Sequence, residues 1–326
     1  MKSKDKIDIS KVWRIILVRS LTYLSLLVII VFFILYLRKA NQPINVPLGS
    51  DDQSRKMIAI INGRLEHKDH IKGLRDGLLY KGINFPCLEY SSFDDISEES
   101  FIYYVFGKEK VIQILQRFPE SRVVGYAAIR QNISPRYTGI FSEFDWNWCF
   151  GKYREVLPQI RTVGLLYTES NQESREQVEA IQRFAENDPT LVILPVSISQ
   201  EGEDLKEKLN SLIAETDVFL GLVPDKNIEA ALSIISSQCL SLKKPFIGGG
   251  RKGAQMGALI ALEYNQELLG REASEIIRRL VKEHHEAGQI PVILPHPEIF
   301  INLSTSYKLG LQFPPHIQSS AKEKFH

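Results

Sequence analysis

Cysteine is scarce in this chain: Cys87, Cys149 and Cys239 are the three among 326 residues. An odd number leaves at least one thiol unpaired in a monomer, and their wide separation excludes the Cys-x-x-Cys spacing of redox and zinc sites. The expectation is three buried thiols that pack as small hydrophobes. His284 and His285 are adjacent, so a helix turns them to different faces, and solvated surface is a better reading than a shared metal. Also missing are a Gly-x-Ser-x-Gly elbow, a Gly-x-x-x-x-Gly-Lys-Ser/Thr loop and a His-Glu-x-x-His pair. The run Gly248-Gly249-Gly250-Arg251-Lys252-Gly253 does not complete a dinucleotide fingerprint. With no nucleophile, phosphate loop or metal set to nominate, an enzyme of the α/β class is the less favoured reading, and no cofactor is expected.

Long apolar runs are also few, and one stands out. Residues 20–37 carry no charge and, at 1.5 Å per residue, span roughly 27 Å as a helix, enough for a bilayer core. Lys2, Lys4, Lys6, Lys11, Arg14 and Arg19 precede it, whereas only Arg38 and Lys39 follow closely, which puts the N-terminus in the cytoplasm and the rest outside. A cleaved signal peptide is the competing reading, but the run exceeds the usual apolar region and residues 37–42 offer no small-x-small cleavage site. No cysteine follows the run before Cys87, so lipid attachment is not available. The expected organisation is a cytoplasmic tail at 1–19, a transmembrane anchor at 20–38 and a polar linker at 39–55. Beyond the first 40 residues there are 32 Lys and Arg against 37 Asp and Glu, a net of −5. A mildly acidic exterior argues against a nucleic-acid partner.

After the linker, apolar runs of strand length alternate with amphipathic stretches of helix length. Strands are expected at 57–62, 85–90, 101–106 and 122–128, with helices at 69–81 and 108–117. A second series has strands near 162–167, 190–196, 217–222 and 245–248, and helices near 172–187, 202–214 and 226–241. Such alternation predicts α/β architecture with two doubly wound, parallel-sheet lobes after the transmembrane helix. Ligand chemistry then belongs at the carboxyl ends of the strands and between the lobes. This nominates Asn62, Lys108, the turn after residue 167 with Thr168, Ser170 and Ser174, Asp225 and Gly249. Ser170 or Ser174 serves as a helix cap or joins free backbone N–H groups around an anion, and Asp225 caps the next helix or meets a ligand. Three glycines in a row permit close backbone approach or simply a flexible connection. Tyr167 and Tyr264 read either as an aromatic wall or as core.

Four segments in order carry a family resemblance: Val163-Gly-Leu-Leu-Tyr-Thr-Glu-Ser-Asn-Gln-Glu-Ser-Arg-Glu-Gln-Val-Glu179, then Thr216-Asp-Val-Phe-Leu-Gly-Leu-Val-Pro-Asp225, then Gly257-Ala-Leu-Ile-Ala with Glu267-Leu-Leu-Gly-Arg-Glu-Ala273, and the ending from Ile290 to Gly310. Over residues 57–314 the chain resembles ABC transporter substrate-binding proteins of the tryptophan/tyrosine-binding type. The resemblance implies the type I periplasmic binding protein fold, two lobes closing on a small ligand, and an ABC permease as partner. It implies that Ser174 meets a ligand carboxylate and Asp225 a ligand ammonium. Lys108 departs from the family's Gly-Thr, Thr168 from its asparagine and Asn265 from its aspartate, so tryptophan or tyrosine specificity is not carried over. Only residues 91–100 separate two strands where the family has a helix, which suggests a trimmed or reordered first sheet.

The expected lobes are 56–138 with 262–288 and 139–261 with 289–314, with a tail at 315–326 and crossings near 137–141, 257–262 and 288–292. The expected function is capture of a small polar solute, an amino acid or similar, by a monomer at the outer face of the membrane. A tethered sensor, or a binding protein that has lost transport, shares the same cleft.

Overall fold

Ile58–Ile61 (β1) is entirely apolar and entirely buried, the pattern of a central strand covered on both faces. A computed structural model describes residues 57–62, 67–92, 94–96, 100–198, 205–222 and 225–326. All of them belong to the compact unit Ser54–His326. The tail, anchor and linker expected at 1–55 lie outside the described residues. Among the described residues no helix is long and apolar enough to cross a membrane.

Around β1 the first sheet adds Cys87–Tyr90 (β2), Ile102–Phe106 (β3), Arg122–Ala127 (β4) and Tyr137–Phe141 (β5) in the parallel order β2-β1-β3-β4-β5. The short connection at 91–100 therefore neither trims nor reorders the sheet. The second sheet comprises Thr162–Thr168 (β6), Val192–Ile198 (β7), Val218–Gly221 (β8), Phe246–Gly248 (β9), Ile260–Glu263 (β10), Glu298–Asn302 (β11) and Ala321–Phe325 (β12). Its order, β12-β11-β10-β9-β8-β6-β7, repeats the doubly wound pattern of the first and then adds two strands, β11 being antiparallel to β10. The last twelve residues, expected as a tail, instead form a helix at Pro315–Ser320 and the edge strand β12, which pairs with β11.

The chain crosses between the sheets three times, and each crossing lies a few residues later than expected. Residues 137–141 pair with β4 along their whole length, so the first crossing is 142–145. β10 belongs to the second sheet, which moves the second crossing to 264–265. Ile293 bridges Ile140, and the Thr138 hydroxyl donates to the Ile290 carbonyl at 2.8 Å, so the third crossing is 294–297. Tyr264 lies in the second crossing. Its hydroxyl is 3.1 Å from the Glu143 carbonyl and 3.4 Å from that of Pro295, within reach of the other two.

Two helices far apart in sequence close one face of the first sheet. Lys68–Tyr80 (α1) buries Ile71, Leu74 and Leu78 at helical spacing. Gln266–Lys282 (α8 in chain order) buries Leu269, Ala273, Ile276, Ile277 and Leu280. They meet through glycine: a methyl group on Gly73 would stand 2.8 Å from the Glu267 carbonyl carbon, and one on Gly270 would stand 2.6 Å from the Leu74 nitrogen. The returning chain is thus locked into the lobe where the chain began.

Candidate functional site

β6 ends at Thr168, and the helix Gln172–Glu186 (α4) begins four residues later. The helix cap is Asn171, whose side chain accepts from the Glu173 and Ser174 amides, so neither Ser170 nor Ser174 has that role. Ser174 is fully buried and donates its hydroxyl to Asp225 Oδ2 at 2.5 Å. The same oxygen accepts from the Thr168 amide at 3.0 Å. Oδ1 accepts from the Thr168 hydroxyl at 2.9 Å and from the Asn227 and Ile228 amides at 3.1 and 3.3 Å. Asp225 thereby caps the helix Lys226–Ser241 (α6) while holding β6 and α4. A carboxylate has about four lone-pair sites. Five donors saturate it, so in this geometry it has no site left for a ligand ammonium.

The other nominated residues are dispersed. Asn62 is half-buried at the end of β1, and its amide donates to the Tyr90 carbonyl at 3.0 Å. Ser170 is exposed in the turn before α4. Gly248, Gly249 and Gly250 are buried, with φ of 83°, 71° and 61°. They form a buried left-handed turn from β9 into a short helix, and a methyl on Gly248 would lie 2.5 Å from the Gly221 carbonyl oxygen. Lys108 is exposed at the first turn of Lys108–Arg117 (α2), and its charge acts on Glu143. Tyr264 is buried and stacked on Phe144, with ring centroids 4.8 Å apart. Tyr167 is half-buried against the second lobe's core. Cys149 and Cys239 are buried, but Cys87 is half-buried rather than fully covered.

A cavity of about 380 Å³ opens where the first crossing meets α4, lined by Arg130, Glu143, Phe144, Trp146, Asn147, Ala180, Arg183, Phe184 and Asn187. Its volume falls in the range of small-ligand pockets, about 300–1,000 Å³. Burial pushes the Glu143 carboxyl above its ordinary value, while Arg183, Arg130 and Lys108 pull it down and Glu176 pushes it up. Arg130 stacks on the Phe141 ring at 4.3 Å and stands 3.8 Å from Asp145 Oδ1. Both signs of charge therefore face aromatic rings. Strand-end reasoning reaches Arg130, in the stretch 127–130 at the end of β4, and none of the other lining residues. The available signal was composition: Trp146 and Trp148, two of the chain's three tryptophans, fall at the first crossing.

The crossing edge of the first sheet carries a second polar group in an aromatic setting. His67 stacks on Phe106 at 4.2 Å, and His70 packs against Tyr126 at 4.6 Å. His70 Nε2 is 2.5 Å from the Tyr104 hydroxyl, and Nδ1 is 3.1 Å from Gln266 Oε1. Gln266 Nε2 lies 3.4 Å from the Tyr126 hydroxyl. Burial lowers the His70 pKa from 6.5 to about 4, against the Gln266 hydrogen bond, which raises it, and the smaller effect of His67, which lowers it. Between these two values the unfolded chain binds a proton that the folded chain refuses. Stability from this group is thus full above pH 6.5 and falls as the pH drops toward 4. The expected loss is on the order of 3 kcal/mol. Urea unfolding of the wild type and His70→Gln at pH 7 and pH 4.5 checks it, because equal acid losses in both proteins would remove His70 as the cause.

The sequence profile described as ABC transporter substrate binding protein matches residues 138–325. A tyrosine-binding protein of Clostridioides difficile (strain R20291) is 29% identical over 162 residues. That match takes in 49% of this chain and 45% of the relative, so the chain spans about half the length of the curated relative it matches. Two solved structures share the fold. The ligand-free, open form of a substrate-binding protein with adhesive properties from Clostridium difficile is 16% identical, with 83% of this chain and 100% of that one covered at a TM-score of 0.64. The Streptococcus pneumonia ABC domain in complex with L-Trp is also 16% identical, with the same coverage and a TM-score of 0.59. A profile match over more than half the chain, on two doubly wound sheets joined by three crossings, makes this chain a member of the ABC transporter substrate-binding protein family, with the type I periplasmic binding protein fold.

Proposed function

We propose that this protein captures an amino acid outside the cytoplasm, held to the membrane by the apolar run at 20–37, and presents it to an ABC permease. The observation that carries the ligand class is the cavity at the first crossing, where Arg130, Arg183 and Glu143 face Phe144, Trp146 and Phe184. A zwitterion with an apolar side chain matches that chemistry: guanidinium for the carboxylate, carboxylate for the ammonium, rings for the side chain. Lys108 adds positive charge nearby and favours solutes with a second anionic group. The tyrosine-binding relative and the L-Trp complex are consistent with this class. Function then follows from a ligand that binds one arrangement of the lobes better than another, with no covalent chemistry.

Thermal unfolding of the purified chain against amino acids, small peptides, nucleosides and sugars tests the reading. A true ligand at 100 times its dissociation constant should add about 2.7 kcal/mol. Arg130→Ala and Glu143→Gln should each weaken that ligand about tenfold, by removing one charge-assisted contact. Stabilisation by no class of solute would defeat the proposed function. Stabilisation that both variants leave unchanged would move the ligand out of this cavity.

A further inference from the structure

Tyr104, His70, Gln266 and Tyr126 form a chain of hydrogen bonds that has two self-consistent directions. In one, Tyr104 donates to His70 Nε2, His70 Nδ1–H donates to the Gln266 carbonyl, and the Gln266 amide donates to Tyr126. In the other, the Gln266 amide is turned over and every bond is reversed. The directions differ in which tyrosine keeps a proton that no described residue accepts. Reversed, that proton sits on Tyr104, which is 0% exposed in the core of the first lobe. Forward, it sits on Tyr126, which is 6% exposed. A fully buried unpaired donor is the costlier arrangement, which favours the forward direction. Either direction needs a neutral His70, which its lowered pKa of about 4 provides at pH 7.

Tyr126 stands one residue before the end of β4, and Gln266 begins α8 just after the second crossing. The free proton therefore lies on the edge of the first sheet where the chain crosses to the second lobe. His67, Phe106 and His70 surround its ring. Arg130 follows Tyr126 by four residues.

We propose that the Tyr126 hydroxyl is a ligand-recognising donor of the first lobe, held in the donating sense by Tyr104, His70 and Gln266, and that it takes a carboxylate oxygen of the solute. This rests on the amino-acid reading above. A tyrosine fixed as donor prefers an acceptor and discriminates against the same solute without its carboxylate.

Two measurements test it. The imidazole nitrogens of the ligand-free protein, followed by 15N NMR at pH 7, should show His70 neutral and protonated on Nδ1. Protonation on Nε2 would overturn the direction of the chain and the donor with it. Titration calorimetry with L-tryptophan and L-tyrosine, and with tryptamine and tyramine, reads the contact. Tyr126→Phe should weaken the amino acids about 10- to 100-fold and leave the amines unchanged. If the wild type binds neither amino acid, the donor falls, and the amino-acid reading is decided separately by the wider solute screen. If it binds them and Tyr126→Phe binds them equally well, only the donor is overturned.

Discussion

Asp225→Ala is expected to lower the free energy of unfolding by about 3–4 kcal/mol, well beyond the ~1 kcal/mol of an ordinary helix cap. The excess arises because the carboxylate serves three elements at once. Its removal leaves the Thr168 amide and the hydroxyls of Thr168 and Ser174 without an acceptor, in addition to the two amides of α6. Thr168 and Ser174 are 3% and 0% exposed, so water reaches neither readily. Asp225→Asn should recover part of the loss, because the amide keeps one acceptor oxygen and offers two donors where donors already crowd. Chemical unfolding followed by circular dichroism gives the values. A loss near 1 kcal/mol for Asp225→Ala would reduce the residue to a cap and return its second oxygen to the ligand question.

Gly270→Ala should destabilise by about 2–3 kcal/mol, although alanine is the better helix former by about 1 kcal/mol. The methyl group has no room: it meets the His70 carbonyl and stands 2.6 Å from the Leu74 nitrogen, both main-chain atoms that move only with the helix. Gly151→Ala is the matched control. Gly151 lies within the helix Trp146–Val156, and a methyl there meets nothing within 4 Å. That substitution should stabilise by about 0.5–1 kcal/mol from propensity alone. Equal effects of the two substitutions, in either direction, would show that α1 and α8 give way and that the tight crossing is not a constraint. The opposite signs expected for one and the same substitution make the pair a test of packing with propensity held constant.

Most of the regular elements were legible because their periodicity is local. Lys108–Arg117 was expected at the same bounds, and β1, β3, β4 and β6 within one residue at either end. β5 was not, since Thr138 and Gly139 interrupt its apolar run and the segment reads as a crossing until β4 supplies its pairing partner. β12 was missed for the related reason that Ala321–Phe325, read alone, is a polar, lysine-rich end, as an edge strand can be. Thr168, Ser174 and Asp225 were nominated together from three separate strand and helix ends. The structure does bring them together, but with one another. Sequence shows which groups can donate and accept. It does not show which of them fill each other's valences.

By itself the sequence determined the α/β class, two doubly wound series in succession and family membership, because strand burial, helix periodicity and ordered motifs are properties of contiguous residues. It also contained the apolar run at 20–37 and the two tryptophans at the first crossing. Only the tertiary structure decided where the chain crosses between the sheets, that Asp225 is saturated, that Gly73 and Gly270 must lack a side chain, and that Tyr104, His70, Gln266 and Tyr126 meet in one hydrogen-bonded chain. Each of these depends on atoms from segments tens to hundreds of residues apart approaching to about 3 Å. Such meetings follow from how sheets and helices pack, and no single stretch of the chain contains that information.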